Sequence, residues 1–224
     1  MTSPMTDHRT RFLQLALRAD ALRFGDFTLK SGRQSPYFFN AGRFDSGAAL
    51  AELAACYADA IDAHGVEFDL LFGPAYKGIP LATALACEYA RRGRDLPVAF
   101  NRKEAKAHGE GGTLIGAALA GRRVLIVDDV ITAGTAIREA LGIIGQAGGT
   151  VAGIVIALDR QEAVDPATSR RSAAQTVAAD HGLPVIAVAS LSDLLAFTGG
   201  NATLQAQRER LLAYRQAYGS EAPA

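Results

Sequence analysis

Two adjacent carboxylates follow an apolar run in the middle of the chain. The segment from Arg123 to Ala136 reads Arg-Val-Leu-Ile-Val-Asp-Asp-Val-Ile-Thr-Ala-Gly-Thr-Ala. Residues 124–127 are of the kind found in a strand buried on both faces. Asp128 and Asp129 come where that strand is expected to end, and a helical pattern follows the small residues of the loop. The segment therefore predicts a strand, an acidic pair, a short loop and a helix.

That order of elements suits a phosphorylated sugar. Unpaired N–H groups at a helix start, together with the Thr132 and Thr135 hydroxyls, can hold a phosphate monoester. Gly134 would let the backbone approach the phosphate closely. The two carboxylates can accept hydrogen bonds from ribose hydroxyls or lie near a divalent cation. The segment has neither a Walker Gly-Lys-Thr/Ser triplet nor G-x-G-x-x-G, and the plainer alternative is an ordinary turn with two solvated aspartates.

A second strand-to-helix turn carries a cation. The apolar run 68–72 leads into Gly73-Pro74-Ala75-Tyr76-Lys77-Gly78, and a helical pattern follows. A lysine beside freed backbone N–H groups suits a diphosphate. Taken alone, this turn fits an anion site and an ordinary connection equally well.

The segment 101–113 is almost without apolar residues. It contains Arg102, Lys103, Lys106 and His108, with three glycines close behind. Such a segment cannot contribute to a core, so it is either a solvated loop or a lid that closes over an anion. Two neighbouring anion sites favour the flexible lid.

Two further features could recognise a planar, acidic ring. Arg160 follows the predicted strand 150–158, where a guanidinium could bind a carboxylate in a bidentate way. The aromatic residues Tyr37, Phe38 and Phe39 flank the turn 30–36, and we expect them to be exposed as a flat wall. The pattern by itself favours a different interpretation, in which they are packing residues of a small hairpin.

The elements that would position these residues alternate between strand and helix. Apolar spacing predicts helices near residues 6–22, 46–64, 79–92, 137–144, 172–181, 190–197 and 203–218, and strands near 24–29, 37–40, 68–72, 97–100, 124–127, 150–158 and 184–189. This alternation predicts an α/β fold with one doubly wound, mostly parallel sheet flanked by helices. We expect a single domain over residues 1–224, with about the first 40 residues forming a small hood over the carboxyl edge of the sheet.

Composition limits the classes of function. The 23 basic and 23 acidic side chains cancel, which argues against a general nucleic-acid or acidic-membrane binder. Neither a secretory signal nor a run of about 18 apolar residues is present, so we expect no membrane span. Cys56 and Cys87 lie in Ala-rich helical patterns and are predicted to be buried thiols in a reducing, cytoplasmic compartment.

Taken together, the motifs resemble those of type I phosphoribosyltransferases, and among them the orotate phosphoribosyltransferase family. The resemblance covers about residues 10–218. It is carried by Phe27-Thr28-Leu29-Lys30-Ser31-Gly32, Ser35-Pro36-Tyr37-Phe38-Phe39-Asn40, Phe72 to Gly78, Asn101 to Lys106, His108 to Gly112, Arg123 to Ala136 and Leu158-Asp159-Arg160-Gln161-Glu162.

The resemblance implies transfer of a 5-phosphoribosyl group from phosphoribosyl diphosphate (PRPP) to orotate, with Mg²⁺ as cofactor and a homodimer as the working unit. The residues implied to bind PRPP are Lys30, Tyr76, Lys77, Arg102, Lys103, Lys106, His108, Asp128, Asp129, Val130, Ile131, Thr132, Ala133, Gly134, Thr135 and Ala136. Those implied to bind orotate are Lys30, Phe38, Phe39, Thr132 and Arg160. Catalytic roles would fall to Lys103, Lys106, His108, Asp128 and Asp129.

The implied site also involves a metal ion and a second subunit. Mg²⁺ would be held mainly by PRPP and water, near Asp128 and Asp129. The lid would reach across the homodimer, so that Arg102, Lys106 and His108 serve the partner's site. Lys106 or His108 could protonate the leaving group or act only through its charge.

Two other functions remain open at this point. A phosphoribosyltransferase for a purine or another base would share the Asp128–Thr135 motif, but it would not be expected to combine Phe38 and Phe39 with Arg160. A regulator that senses PRPP and binds nucleic acid would require a basic face or an additional module.

Overall fold

The computed structural model describes residues 7–29, 31–106, 112–165 and 169–221. Its helices are α1 (His8–Arg18), α2 (Gly47–His64), α3 (Gly78–Arg91), α4 (Thr135–Gln146), α5 (Ala173–His181), α6 (Leu191–Gly199) and α7 (Gln205–Tyr218). Its strands are β1 (Leu22–Thr28), β2 (Gln34–Phe39), β3 (Leu70–Gly73), β4 (Val98–Lys106), β5 (Gly112–Gly116), β6 (Arg123–Asp128), β7 (Thr150–Asp159), β8 (Ala163–Asp165), β9 (Ser169–Ser172) and β10 (Val185–Ser190).

Six of these strands form the central sheet, in the order β10-β7-β6-β3-β4-β5. Its first five strands are parallel, and β5 pairs antiparallel with β4 at one edge. The predicted α/β fold with a mostly parallel sheet is confirmed. Because β3, β6 and β7 are neighbours and parallel, the turns that follow them meet at the same carboxyl edge.

The central strand β6 shows why the sheet is covered on both sides. Val124 and Ile126 belong to a core shared with α4 and α5, while Leu125 and Val127 belong to a larger core shared with α1, α2, α3, α6 and α7. Side chains alternate between the two faces of a strand, so a continuous apolar run supplies both cores. All four side chains are fully buried.

The helix ends follow the sequence signals in several places. Ser46 caps α2, and Gly65 ends it with φ +64°. Capping boxes begin α5 at Ser172 and α6 at Ser190. The first helix is shorter than expected: α1 ends at Arg18, and Leu22 belongs to β1 because the backbone of Asp20 turns to φ +54°.

The N-terminal strands form a separate antiparallel hairpin, in which Leu22 pairs with Phe39 and Thr28 with Gln34. This hairpin contacts the carboxyl edge of the sheet through a hydrogen bond that Ser35 accepts from Arg160 at 3.2 Å. Another hairpin, β8–β9, was not anticipated from the sequence.

The segment predicted as a lid loop contains more regular structure than its composition indicated. Strand β4 continues to Lys106, and β5 begins at Gly112, with Lys106 paired to Gly112. Residues 107–111 lie outside the described residues, and so do the side chains of 104–106 and 112. The closing motion of a lid stays a prediction.

The two cysteines differ in environment. Cys56 is buried in α2 and Cys87 is exposed on α3; both thiols are free among the described residues. The prediction that Cys87 is buried is wrong, because α3 turns Leu81, Leu85 and Tyr89 toward the core and leaves Cys87 on the opposite side. No helix in the described part of the chain is both long and apolar enough to cross a bilayer.

Candidate active site

The acidic pair lies at the end of β6, as the sequence predicted. Asp128 is 8% exposed and Asp129 is 6% exposed. The Asp129 N–H donates to Oδ1 of Asp128 at 2.9 Å, and the Asp129 carbonyl accepts from the Ala157 N–H on β7, also at 2.9 Å. The Tyr57 hydroxyl donates to the Asp128 carbonyl at 2.8 Å from within the core. These bonds fix the backbone that carries both carboxylates.

Burial changes the acidity of the first carboxyl group. Together with a smaller effect from the charge of Asp129, burial raises the pKa of Asp128 from 3.8 to about 7. Two adjacent carboxylates in a poorly solvated position disfavour simultaneous ionisation. The free protein therefore holds Asp128 partly protonated near neutral pH.

Lys77 connects the acidic pair to the second predicted anion site. Its Nζ lies 2.7 Å from Oδ2 of Asp129, although the two residues are 52 positions apart in the chain. The Lys77 side chain is 52% exposed, whereas that of Asp129 is 9% exposed. The ammonium group thus remains open to a ligand while it partly neutralises the carboxylate.

The turn from Gly73 to Gly78 requires glycine at both ends. A Cβ on Gly73 would lie 2.4 Å from the Gly78 carbonyl oxygen, and a Cβ on Gly78 would lie 2.6 Å from the Val127 carbonyl oxygen. The peptide between Ala75 and Tyr76 is cis. Asn101 on β4 accepts a hydrogen bond from the Ala75 N–H at 2.9 Å. The turn is thus held against both the acidic strand and the base of the predicted lid.

Two side chains at this turn extend toward solvent. Tyr76 is 68% exposed, and Nζ of Lys103 lies 5.2 Å from the centre of its ring. That distance is typical of a cation–π contact. The structure therefore brings Tyr76, Lys77 and Lys103 together, as the predicted PRPP site requires.

The loop after the acidic pair encloses a cavity of about 240 Å³. Its lining consists of Asp128 and residues 130–137, which include all seven loop residues predicted to bind PRPP. Gly134 precedes α4 with φ +71°, a conformation that favours glycine. The first N–H groups of α4 are donors without helical partners, and so they suit an anion at this cavity. Arg138 supports the loop by donating to the Ala133 carbonyl at 2.9 Å.

Arg160 lies after β7 and is largely enclosed, with 15% of its side chain exposed. Its Nε donates to Oε1 of Glu162 at 2.7 Å, and its guanidinium carbon lies 4.4 Å from the centre of the Tyr37 ring. Burial by itself lowers the pKa of Arg160, but Tyr37 and Glu162 raise it by more, so the net pKa shift is upward. The side chain is charged and held in one orientation.

The predicted aromatic wall requires a correction. Tyr37 is 0% exposed and Phe39 is 9% exposed, so the expectation that both are exposed is wrong. Phe39 packs against Phe12 and Phe44 in the core. Successive residues of a strand face opposite sides, so Phe38 is turned away from that core; it is half-buried against Phe27. Of the two phenylalanines predicted to line orotate, Phe38 is the one outside the core.

Some predicted site residues cannot be placed. Lys30, His108 and the side chain of Lys106 lie outside the described residues. Arg102 is half-buried on β4. Sequence reasoning missed the positions of Tyr57, Asn101, Arg138 and Glu162, which hold the site from other elements. The motif strings include Asn101 and Glu162 but do not indicate which atoms these residues contact.

The donor set fits a metal ion that is held mainly by its ligand. Asp128 and Asp129 offer the carboxylate oxygens that Mg²⁺ prefers. Within the described ranges, however, no group of three or more His, Cys, Asp or Glu side chains could hold a metal. Remaining ligand positions would have to come from substrate oxygens and water.

Comparisons with known proteins give a matching family model and similar relatives. The family model described as phosphoribosyl transferase domain matches residues 44–174. The chain is 80% identical to orotate phosphoribosyltransferase of Xanthomonas campestris pv. campestris (strain B100), over 97% of this chain and 99% of the relative.

Solved structures give the same result. Orotate phosphoribosyltransferase of Francisella tularensis is 42% identical with a TM-score of 0.83, covering 93% of this chain and 99% of that one. Another is the Mycobacterium tuberculosis orotate phosphoribosyltransferase in complex with PRPP, which is 25% identical with a TM-score of 0.63 over 84% of this chain and 98% of that one.

The raised pKa of Asp128 leads to a test of stability against pH. Below about pH 4 the carboxyl group is protonated in both the folded and unfolded states, so it has no effect there. As the pH rises from 3.8 to about 7, the unfolded state loses the proton first, and the wild-type protein loses stability. Asp128→Asn avoids this loss, and the full rise in pKa corresponds to roughly 4 kcal/mol.

Thermal unfolding in metal-free buffer should therefore give equal Tm values for wild type and Asp128→Asn near pH 4. From there to about pH 7 the variant should become increasingly more stable than wild type, and above about pH 7 the difference in Tm should stay constant. The exposed Asp95→Asn serves as a control that should follow wild type. A difference that does not change with pH would show that the pKa of Asp128 is not raised.

Proposed function

The chain belongs to the orotate phosphoribosyltransferase family, and from that membership we propose that it transfers the 5-phosphoribosyl group of PRPP to N1 of orotate. The products are orotidine 5′-monophosphate and diphosphate, in the de novo synthesis of pyrimidine nucleotides. One observation carries this proposal above the others. The turns after β3, β6 and β7 meet at one edge of the sheet and present a lysine, an acidic pair beside a cavity of about 240 Å³, and an arginine.

The loop cavity suits the 5′-phosphate of PRPP. Residues 130–136 line it, and α4 begins at Thr135 with unpartnered N–H donors. Asp128 and Asp129, directly beside the cavity, would accept hydrogen bonds from the ribose hydroxyls. Lys77, which pairs with Asp129 in the free protein, would contact the diphosphate together with Tyr76 and Lys103.

The chemistry needs positioning and charge more than a covalent nucleophile. With N1 of orotate deprotonated, the bond from the anomeric carbon to the diphosphate oxygen breaks, the bond from that carbon to N1 forms, and the diphosphate leaves with the electron pair. Lysine and arginine side chains that contact the leaving group most closely in the transition state lower the barrier. Mg²⁺ bound to the diphosphate would add Lewis-acid assistance.

Orotate would be recognised beside this centre. Arg160 would receive its carboxylate, Thr132 would meet the ring edge through its backbone, and Phe38 would contact the ring. Lys30 would lie near both substrates. Phe39 supports this surface from the core rather than contacting orotate, because its ring packs between Phe12 and Phe44.

The cationic hairpin β4–β5 would act as the lid, in a homodimer. Arg102, Lys106 and His108 would extend into the partner's site and close over the diphosphate. We expect this enzyme to work in the cytoplasm, and two free thiols among the described residues fit a reducing compartment. No nucleic acid takes part in this reaction.

The direct test follows orotate absorbance in the presence of PRPP and Mg²⁺, with adenine, hypoxanthine and uracil as parallel substrates. We expect loss of the orotate signal only when PRPP is present, and no turnover of the other three bases. Turnover of a different base would retain the PRPP site and reject the assignment of Arg160. No reaction with any base would favour a PRPP-sensing regulator, which a salt-dependent shift assay with RNA or DNA would then detect.

The shared lid gives a second test that uses two inactive variants. Lys106→Ala removes the lid cation, and Asp129→Asn removes a carboxylate of the ribose site. If the lid acts in the partner's site, dissociating and re-forming the mixed homodimers should restore roughly a quarter of wild-type activity, since about half the dimers are mixed and each has one intact site. Each variant re-formed alone is the control. No recovery in the mixture would place the lid in its own subunit's site.

A further inference from the structure

The guanidinium of Arg160 already has a carboxylate partner in the free protein. Nε donates to Oε1 of Glu162 at 2.7 Å, and Nη2 lies 2.5 Å from the same oxygen. Both contacts use one edge of the planar group, and Nη1 takes part in neither. Glu162 is itself enclosed, with 14% of its side chain exposed. This is a close, partly desolvated pair and not a surface ion pair.

We infer that Glu162 is a positioning residue for base recognition: it fixes the Arg160 guanidinium so that the donors it does not occupy meet the carboxylate of the acceptor base. This inference rests on the proposed function, in which Arg160 binds orotate. Glu162 would act through Arg160 and would not touch the substrate.

Two further contacts restrain Arg160. The Tyr37 ring lies under the guanidinium, at 4.4 Å from its central carbon to the ring centre. Ser35 accepts a hydrogen bond from Nη2 at 3.2 Å. Glu162 restricts the guanidinium along one edge, the Tyr37 ring restricts one face, and the Ser35 hydroxyl restricts Nη2. Arginine has a planar array of donors, so fixing one edge determines the direction of the others.

Glu162 in turn has a fixed backbone. The neighbouring Gln161 has φ +49°, and its side-chain oxygen accepts from the N–H and hydroxyl of Ser192 at 2.9 and 2.7 Å. The Gln161 carbonyl accepts from the Ser220 N–H at 2.7 Å, and Glu162 forms a bridge with Gly219. The loop that carries Arg160 is therefore tied to the start of α6 and to the chain beyond α7.

A second arginine explains how a carboxylate can be present in a subsite for an anion. Nη1 of Arg33 lies 3.9 Å from Oε2 of Glu162, and its Nη2 donates to the Ala163 carbonyl at 2.9 Å. Arg33 thus offsets the charge of Glu162, so Glu162 orients Arg160 without cancelling the attraction of Arg160 for an incoming carboxylate.

If Glu162 acts by holding Arg160 in place, the variants Glu162→Ala and Glu162→Gln should differ in KM for orotate. Alanine removes the acceptor and frees the Arg160 edge, while glutamine retains an acceptor oxygen and loses only the charge. We expect Glu162→Ala to raise KM for orotate by about 10- to 100-fold, the range for a lost hydrogen bond to a charged group, and to leave KM for PRPP within about twofold. Glu162→Gln should restore KM for orotate to within about threefold of wild type.

The experiment measures KM for both substrates, kcat and Tm in wild type, Glu162→Ala, Glu162→Gln, Arg160→Ala and the double variant Arg160→Ala/Glu162→Ala. If Glu162 acts through Arg160, the double variant should have the same KM for orotate as Arg160→Ala alone. Glu67→Ala is the matched control, because it removes a glutamate that pairs with Arg123 at 2.7 Å, at the opposite end of β6. The control should leave both KM values unchanged.

The outcomes distinguish this inference from the proposed function. If Arg160→Ala does not raise KM for orotate, the proposed role of Arg160 fails, whatever Glu162 does. If Arg160→Ala raises it but Glu162→Ala does not, the positioning role alone is overturned. Equal loss for both substrates with a lower Tm would mean that the pair is only structural. A lower KM for orotate in Glu162→Ala would mean that Glu162 competes with the substrate.

Discussion

The ion pair between Lys77 and Asp129 joins the two parts of the chain on which the candidate site depends. Nζ and Oδ2 are 2.7 Å apart, across the ends of the neighbouring strands β3 and β6. Without this ion pair, Asp129 would be an enclosed carboxylate directly beside Asp128, whose own pKa is raised to about 7, mainly by burial. The lysine reduces this electrostatic cost and remains half exposed. A ligand that brings its own charges can therefore exchange contacts with both residues.

The fold supports this pair from both faces of the sheet. The apolar residues of β6 anchor the strand in two cores, and the Tyr57 hydroxyl holds the Asp128 carbonyl from α2. Asn101 holds the Gly73–Gly78 turn from β4. These are neutral hydrogen bonds to backbone atoms that lie next to charged groups. They fix the direction of the charged side chains without adding to the charge at the edge.

The sequence predicted those parts of the molecule whose signals are local. The apolar run of β6 and the acidic pair lie where their patterns indicated, and α2, α5 and α6 occupy the helical segments predicted near residues 46–64, 172–181 and 190–197. Local strand and helix patterns also predicted the mostly parallel sheet. In this protein, short-range spacing was enough to predict which turns meet at one edge, because parallel strands leave little freedom in that arrangement.

The errors and omissions concern contacts between distant residues. Tyr37 and Phe39 adjoin a polar turn and were expected to be exposed, but α1 and α7 cover them. Strand β4 continues through a charged segment because it pairs with β5, which composition does not indicate. Glu162, two residues beyond Arg160, could not be identified as its partner, since both side-chain directions depend on a loop held by Ser192 and Ser220. Local sequence patterns therefore do not identify which side chains contact each other in the folded protein.

A crystal structure of the protein with PRPP and Mg²⁺ tests most directly whether the Lys77–Asp129 pair is the point at which the ligand enters. We expect Nζ of Lys77 to leave Asp129 and to lie within about 3 Å of a diphosphate oxygen. We also expect Asp129 to accept from a ribose hydroxyl and the 5′-phosphate to occupy the cavity of residues 130–137. A bound PRPP that leaves the 2.7 Å contact intact, with its diphosphate away from Lys77, would contradict this role of the Lys77–Asp129 pair.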